Sequence, residues 1–296
     1  MAVDPSFIDQ LQKLTLLSRR RVSSIYAGVR RSTQQGRGIE AVDYREYLPG
    51  DDPKTVDWKI YGRTEKLYIK RFEEEKNLLV HILLDASSSM NFSSSGMLKY
   101  DYAGSLAAGF AYMTIQGNDK FALSIFSEHL RDVMAAKKGK AHFFSAVDLM
   151  NAAKLSGESR LSQSMSEYAG LIKSKSFVVV FSDFLESIDS VREGVYRIAK
   201  NSKELMLVQV LDPWEVDLGW TDDVIFQDLE TSATEQTFLS PNFKEKYGKM
   251  IAAHVQQLRK VAEDVGCQLY TITTNRPLLD SFMTLVNREV ENATVV

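Results

Sequence analysis

The sequence predicts an α/β fold: a doubly wound, mostly parallel sheet flanked by helices, preceded by a small β-rich module and interrupted by a β-hairpin. Three observations carry this expectation. Strand-like and helix-like segments alternate from residue 77 almost to the end of the chain, the signature of parallel strands joined by crossover helices. Two apolar runs, Leu78 to Leu84 and Phe177 to Phe181, are continuous rather than alternating, as in strands buried on both faces. Each run leads into a polar cluster bearing an aspartate, Asp85 and Asp183, and open α/β sheets bind ligands just beyond the C-terminal ends of their strands.

Taken in order, residues 5–30 place Phe7, Leu11, Leu14, Leu17 and Val22 near helical spacing, with Asp4 before Pro5 as the cap; an amphipathic helix is expected. From Gly36 to Lys76 turn signals and short apolar runs predict a β-rich module. Within it, Leu48-Pro49-Gly50-Asp51 suits a type II turn, because proline presets the first central residue and glycine accepts the positive φ of the second. The expected division is therefore 1–76 and 77–296.

In the second region, Leu78 to Leu84 is the first strand. Leu98, Tyr102, Leu106, Phe110 and Met113 mark one face of a helix ending near Gln116, at Gly117-Asn118-Asp119. Lys120 to Phe126 reads as a strand with 130–136 as a short partner, 141–153 and 162–174 as helices, and Phe177 to Phe181 as a buried strand. A helix over 188–201 and a strand over Leu205 to Leu211 follow. After Asp212-Pro213-Trp214 the pattern breaks, and Val224 to Leu229 with Gln236 to Leu239 predict a hairpin insertion at about 215–240, around polar Thr231 to Thr234. A helix over 243–265 stopped by Gly266, a strand over Gln268 to Thr273 and a helix over about 277–288 complete the chain.

Composition narrows the function. With 44% hydrophobic and 25% charged residues among 296, the chain has ordinary globular composition. A net charge of −3, and a densest basic cluster of only Arg19-Arg20-Arg21, give no nucleic-acid signal; those arginines suit a solvated helix face. Cys267 alone excludes an intrachain disulfide, and His81, His129, His142 and His254 lack metal-ligand spacing. The start of the chain has no signal-peptide character, and no apolar run approaches the ~18 residues of a membrane span. A cytoplasmic location is expected.

The chemistry lies in Asp85-x-Ser87-x-Ser89, one carboxylate and two hydroxyls just past a buried strand. Oxygen-only donors suit a hard divalent cation such as Mg²⁺, whose octahedral preference calls for more ligands from neighbouring loops. Asp183, at the second strand end, and Ser159, in the loop Gly157-Glu158-Ser159-Arg160, are the candidates. Enzymatic alternatives lack their residues. An aspartyl-phosphate enzyme would need Asp-x-Asp where position 87 is serine, and there is neither a Gly-x-Ser-x-Gly elbow nor a Gly-x-x-x-x-Gly-Lys-Ser/Thr loop. No catalytic residue is assigned. Metal-assisted hydrolysis and a metal-free structural scaffold, in which the same residues serve as turn and cap groups, remain the competing readings.

The order of these pieces resembles the von Willebrand factor A domain and its metal-ion-dependent adhesion site. The resemblance implies that Asp85, Ser87, Ser89, Ser159 and Asp183 hold Mg²⁺ or Mn²⁺ with one position left open for a partner's carboxylate. Ser159 departs from the threonine usual in that family, keeping the hydroxyl but losing the methyl that restricts its rotamer.

A narrower resemblance rests on Gly36-Arg-Gly-Ile-Glu40, Tyr44-Arg45-Glu46-Tyr47, Pro49-Gly-Asp-Asp52, Val56-Asp57-Trp58, Arg63-Thr64, Ile69-Lys70 and Phe72-Glu-Glu-Glu75. It continues through Ser182-Asp183-Phe184 and Val210-Leu211-Asp212-Pro213-Trp214-Glu215. Together these resemble the bacterial and archaeal von Willebrand A-like family known as domain of unknown function fifty-eight. Ala41, Lys54 and Gly62 stand where that family favours phenylalanine, arginine and alanine. Many relatives carry N-terminal membrane helices; this chain looks like the short soluble form. The resemblance implies a partner, a MoxR-type AAA+ ATPase, and a role as adaptor in chaperone-like maturation or remodelling of protein complexes. Arg45, Asp51, Asp52, Asp57, Trp58 and Arg63 are expected to form a structural ion-pair and turn network, with Trp58 as a core anchor; the alternative is an exposed recognition surface.

Overall fold

The computed structural model describes residues 3–17, 41–72, 78–94, 96–218, 224–227, 234–237 and 241–287. In chain order its elements begin with α1 (Pro5–Leu17), β1 (Ala41–Glu46), α2 (Trp58–Thr64), β2 (Tyr68–Phe72), β3 (Leu79–Asp85), α3 (Lys99–Gln116), β4 (Lys120–Phe126) and β5 (Leu130–Lys137). They continue with α4 (Lys140–Ala152), α5 (Leu161–Ala169), β6 (Ser176–Ser182), α6 (Ile188–Asn201), β7 (Ser202–Leu211) and α7 (Pro213–Val216). The last are β8 (Val224–Gln227), β9 (Thr234–Thr237), α8 (Pro241–Val265), β10 (Gln268–Thr273) and α9 (Leu278–Asn287). The predicted helix beyond residue 17, with Val22 and Arg19 to Arg21, lies outside the described residues, as do Gly36 to Glu40, Glu73 to Glu75, the hairpin's Thr231 to Ala233 and residue 288.

The chain divides into two compact units, 26–77 and the combination of 1–25 with 78–296. The N-terminal helix, grouped in the sequence reading with 1–76, thus belongs with the large unit. There Phe7 meets Phe282 edge-on at 5.6 Å, Leu11 is buried, and the Asp4 amide donates to Ser105 Oγ at 3.0 Å. Asp4 Oδ1 accepts from the Ser6 amide at 2.8 Å, the expected cap.

The large unit is built on a six-stranded sheet ordered β10-β7-β6-β3-β4-β5, with β5 antiparallel to β4 at one edge and the other pairings parallel. Register places Leu84 opposite Phe181, and Asp85 opposite Phe126. From β3 the chain first builds outward to β4 and β5, then returns to lay β6 on the other side. The crevice between the ends of β3 and β6 is therefore the topological switch point of the sheet. The two predicted buried strands are neighbours, and their aspartates emerge at one edge.

Helix α3 departs from the one-faced amphipathic helix expected. Fifteen of its residues are buried, because it packs on the sheet and is covered by α1, α4 and α9. Alanines and glycines allow that close fit: a Cβ on Gly109 would lie 2.6 Å from the Phe282 ring. On the opposite side, α5, α6 and α8 bury Leu161, Met165, Val191, Val195, Ile198, Leu258 and Val261 against Leu83, Val178, Val180 and Leu207. Helix α5 stops five residues short of the predicted 174, at Gly170. The hairpin β8–β9 forms, Val224 opposite Thr237 and Gln227 opposite Thr234, its second strand starting at Thr234, two residues before the expected Gln236. Gly266, at φ +67°, follows the end of α8. Among the described residues no helix is long and apolar enough to cross a membrane.

In the small unit β1 and β2 pair antiparallel, and Gly50 sits at φ +110° with the Asp51 amide bonded to Leu48 O at 3.0 Å, as the type II turn requires. Arg45 grips Asp51 through two bonds of 2.9 and 2.7 Å, which hold the Asp51 carboxyl below the ordinary range. Helix α2 was not expected. Asp57 caps it, accepting from the Lys59 and Ile60 amides at 2.9 and 3.4 Å. Trp58, read as a core anchor, is instead 64% exposed and touches Tyr61 edge-on.

Candidate functional site

Asp85 ends β3 and is completely buried. Its Oδ1 accepts from the Ser87 amide at 2.8 Å, closing a tight turn that leads into the single 3₁₀ turn Ser88–Met90. Its Oδ2 accepts from Ser182 Oγ at 2.6 Å and from Ser159 Oγ at 3.1 Å. Ser159 arrives there because its loop is stitched to the motif: the Ser88 amide donates to Gly157 O at 2.9 Å and the Ser156 amide to Ala86 O at 3.1 Å. Gly157 takes φ +85°, a backbone state that favours glycine.

Ser87 Oγ lies 3.1 Å from Ser89 Oγ, and the Ser89 hydroxyl helps to lower the Asp183 carboxyl. Of the five residues singled out in the sequence, Asp85, Ser87, Ser89 and Ser159 form one hydrogen-bonded cluster, and Asp183 stands close enough for its charge to act on Asp85. Sequence reasoning missed Ser182, although a hydroxyl closing a fully buried strand beside Asp183 was the available signal.

It also missed Lys99. This lysine opens α3, has no exposed surface, and donates to Asp183 Oδ2 at 2.8 Å and Glu215 Oε1 at 2.5 Å. A cation at a helix N-terminus opposes the helix dipole, and burying one without partners is prohibitive. Its position therefore makes sense only with these two carboxylates. Glu215 Oε2 in turn accepts from the Asp212 amide at 2.9 Å, and Asp212 Oδ1 from the Trp214 amide at 2.9 Å, a capping box for α7. Asp212 also receives the Ser94 amide at 2.8 Å, the Ser94 hydroxyl, and Thr274 Oγ1 at 3.4 Å. The Asp212-Pro-Trp-Glu215 block is a latch that ties the loop after the serine motif to the end of β7.

Asp183 is held just as firmly. Its carbonyl accepts from Gln209 Nε2 at 2.9 Å, and Oδ1 from the Leu185 amide at 3.2 Å. Phe184 adopts the left-handed φ of +51°, fixed by its amide on Ser182 Oγ at 3.1 Å and by His254 Nε2 on its carbonyl at 2.7 Å.

The electrostatics separate the two aspartates. Burial, and then the charge of Asp183, push Asp85 up to about 6. Burial pushes Asp183 up as well, but the Lys99 ammonium outweighs it and holds that carboxyl below the ordinary range. Lys99 is pushed down by burial and raised, on balance, by Asp183 and Glu215, so it stays charged. Glu186 is a further acid: burial pushes it up to about 7, while it accepts from the Leu161 amide at 2.9 Å and Ser190 Oγ at 2.7 Å.

As a donor set, one carboxylate and three hydroxyls with a second carboxylate alongside fit a hard divalent cation. Among the described residues no group of three or more His, Cys, Asp or Glu could hold a metal ion, so the hydroxyls would have to contribute. Three histidines are engaged elsewhere: His81 with Tyr168 Oη at 2.7 Å, His129 with Glu167 at 3.0 Å, His142 with Phe121 O at 3.1 Å.

The sheet order and the loop at its switch point agree with a von Willebrand A-like architecture. Comparison with known proteins adds relatives. An uncharacterised protein of Mycobacterium tuberculosis, Rv1480, is 23% identical over 286 residues, spanning 96% of this chain and 90% of that protein. The conserved hypothetical protein BatB of Bacteroides thetaiotaomicron is 16% identical with a TM-score of 0.42, over 63% of this chain and all of that one. The VWA domain of SpRpn10 is 14% identical with a TM-score of 0.46, over 71% and 95%. A family model described as Protein of unknown function DUF58 matches residues 43–257, most of the chain, and the protein belongs to that family.

Proposed function

We propose that this protein is a non-enzymatic protein-interaction module whose Asp85-x-Ser87-x-Ser89 site takes a divalent cation, Mg²⁺ or Mn²⁺, and through it a carboxylate of a partner protein. The observation that carries the reading is the convergence of Asp85, Ser87, Ser89, Ser159 and Asp183 at the switch point between β3 and β6. A bound cation supplies a positive centre for an anionic oxygen. Asp85 contributes the buried negative charge, the three serines contribute neutral oxygens, and Asp183 stands beside them, its carboxylate fixed by the Leu185 amide and the Lys99 ammonium. Hydroxyl ligands leave most of the cation's charge uncompensated, which suits recruitment of an outside carboxylate rather than chemistry on it. The resemblance to the family supports the finer assignment: adaptor to a MoxR-type AAA+ ATPase in chaperone-like maturation or remodelling of a client.

The test is calorimetric titration of the full chain with Mn²⁺ and Mg²⁺, native and Asp85→Ala, followed by capture of a purified MoxR-type ATPase with and without chelator. Binding by the native chain that Asp85→Ala abolishes, and chelator-sensitive capture, are the expected results. Cation affinity unchanged by Asp85→Ala would remove the site assignment, and capture indifferent to chelator would remove the metal from the interaction. One observation favours a second reading, a metal-free scaffold: Asp183 already has its cation in Lys99. Native protein that binds neither ion establishes that reading instead.

A further inference from the structure

Lys99 stands out among the charged side chains. Among the residues whose burial is described it is the only buried Lys or Arg, and it sits between Asp183 and Glu215 rather than beside Asp85. Acids outnumber it: Asp85, Asp183, Glu186, Asp212 and Glu215 all belong to the network around it or border the cluster. A purely structural role is poorly served by a lysine, since an apolar residue of similar length would avoid burying an ammonium. What an ammonium does, and an apolar residue cannot, is neutralise part of the field that a second cation would feel.

We infer that Lys99 is the affinity-setting residue of the site: bonded to Asp183 Oδ2 and Glu215 Oε1, it offsets negative charge that would otherwise hold a divalent cation tightly. The inference rests on the metal reading above and specifies its regulation. Asp183 is thereby shared between an internal and an external cation. The external one is held loosely and keeps its attraction for an incoming carboxylate. Glu215 is the adjustable member, because it draws part of the Lys99 charge away from Asp183.

Two variants then move in opposite directions. Lys99→Met removes the competing charge and is expected to tighten Mn²⁺ at least tenfold. Glu215→Gln keeps an acceptor for the Asp212 amide but leaves the Lys99 charge wholly on Asp183, and is expected to weaken Mn²⁺ at least threefold. The measurement is Mn²⁺ titration of the full chain, followed by calorimetry, with thermal melting in chelator to confirm folding. Damage to the loop would weaken binding in both variants, so tightening in Lys99→Met separates the inference from a structural role. If Lys99→Met does not fold, Glu215→Gln decides: weaker binding with an unchanged melting temperature supports the inference, and affinity within twofold of native overturns it. Native binding with Lys99→Met folded and no tighter overturns the inference alone. No binding by the native chain overturns the metal reading and this inference with it.

Discussion

Asp85→Asn is expected to make the metal-free protein more stable while removing the cation binding proposed for it. The carboxyl of Asp85 is pushed up to about 6 from an ordinary 3.8, first by burial and then by Asp183. A folded-state value above the unfolded one means that the native state binds the proton more tightly, so this group favours folding at low pH. That contribution disappears as pH rises from about 4 through 6, and at neutral pH the ionised side chain weighs against the fold. At ~1.4 kcal/mol per tenfold the full penalty is on the order of 3 kcal/mol, and sharing with Asp183 brings it to about 1–3 kcal/mol. Asparagine does not ionise, and it can keep the local bonds. Its Oδ1 accepts from the Ser87 amide, and its Nδ2 faces the Ser182 and Ser159 hydroxyls, which can turn to accept. The assay is urea unfolding in chelator at about pH 7.5 and about pH 4.5. The variant should gain about 1–3 kcal/mol at the higher pH, several degrees in melting temperature for a domain of this size, and much less at the lower. A loss above ~1 kcal/mol at the higher pH, or an equal gain at both, would refute the electrostatic reasoning.

Other expectations follow from the same geometry. Burial lowers His81 to about 4 from 6.5, so the native state resists its protonation and stability falls as pH drops from about 6.5 to 4, opposite to Asp85. His81→Asn should flatten that slope by on the order of 2 kcal/mol in an acid unfolding series, and an unchanged slope would assign the loss elsewhere. Gly194→Ala should destabilise by about 1 kcal/mol: the new Cβ would lie 3.0 Å from Leu161 O, and overpacking of about 1–3 kcal/mol exceeds the ~1 kcal/mol that alanine gains in a helix. A more stable variant would mean that α5 and α6 separate easily. Trp58→Ala should shift unfolding by no more than ~0.5 kcal/mol, since the ring is largely exposed; a loss of several kcal/mol would restore it as a core anchor.

The sheet and its helices were legible because their signals are local. Continuous apolar runs gave β3 and β6, and Gly266 gave the end of α8. The convergence of the five site residues was legible too, since strand ends that neighbour one another must deliver their loops to one edge. What escaped is what only tertiary contacts create. Lys99 opens a helix, where a lysine ordinarily reads as solvated, and nothing local distinguishes it from Lys140 at the start of α4. Helix α2 escaped because seven residues give too little periodicity, although Asp57 was a valid capping signal. The burial of α3 on all sides was hidden by its tyrosines and small residues, which do not mark a single face.

That all-round burial has a kinetic consequence. Amides in β3 and α3 lie at the centre of the unit, so their hydrogens should exchange only through global unfolding, whereas the connection between them has Asn91 and Gly96 exposed. The serine motif is thus a short span slung between two elements that do not open on their own. The latch from Ser94 to Asp212 restrains its far end, beside the bonds from the Ser88 amide to Gly157 O and from the Lys99 amide to Phe92 O. Opening of that connection is expected to require release of the Ser94–Asp212 latch, so the Ser94 amide should exchange faster than those of β3 and α3 and report how often the latch lets go.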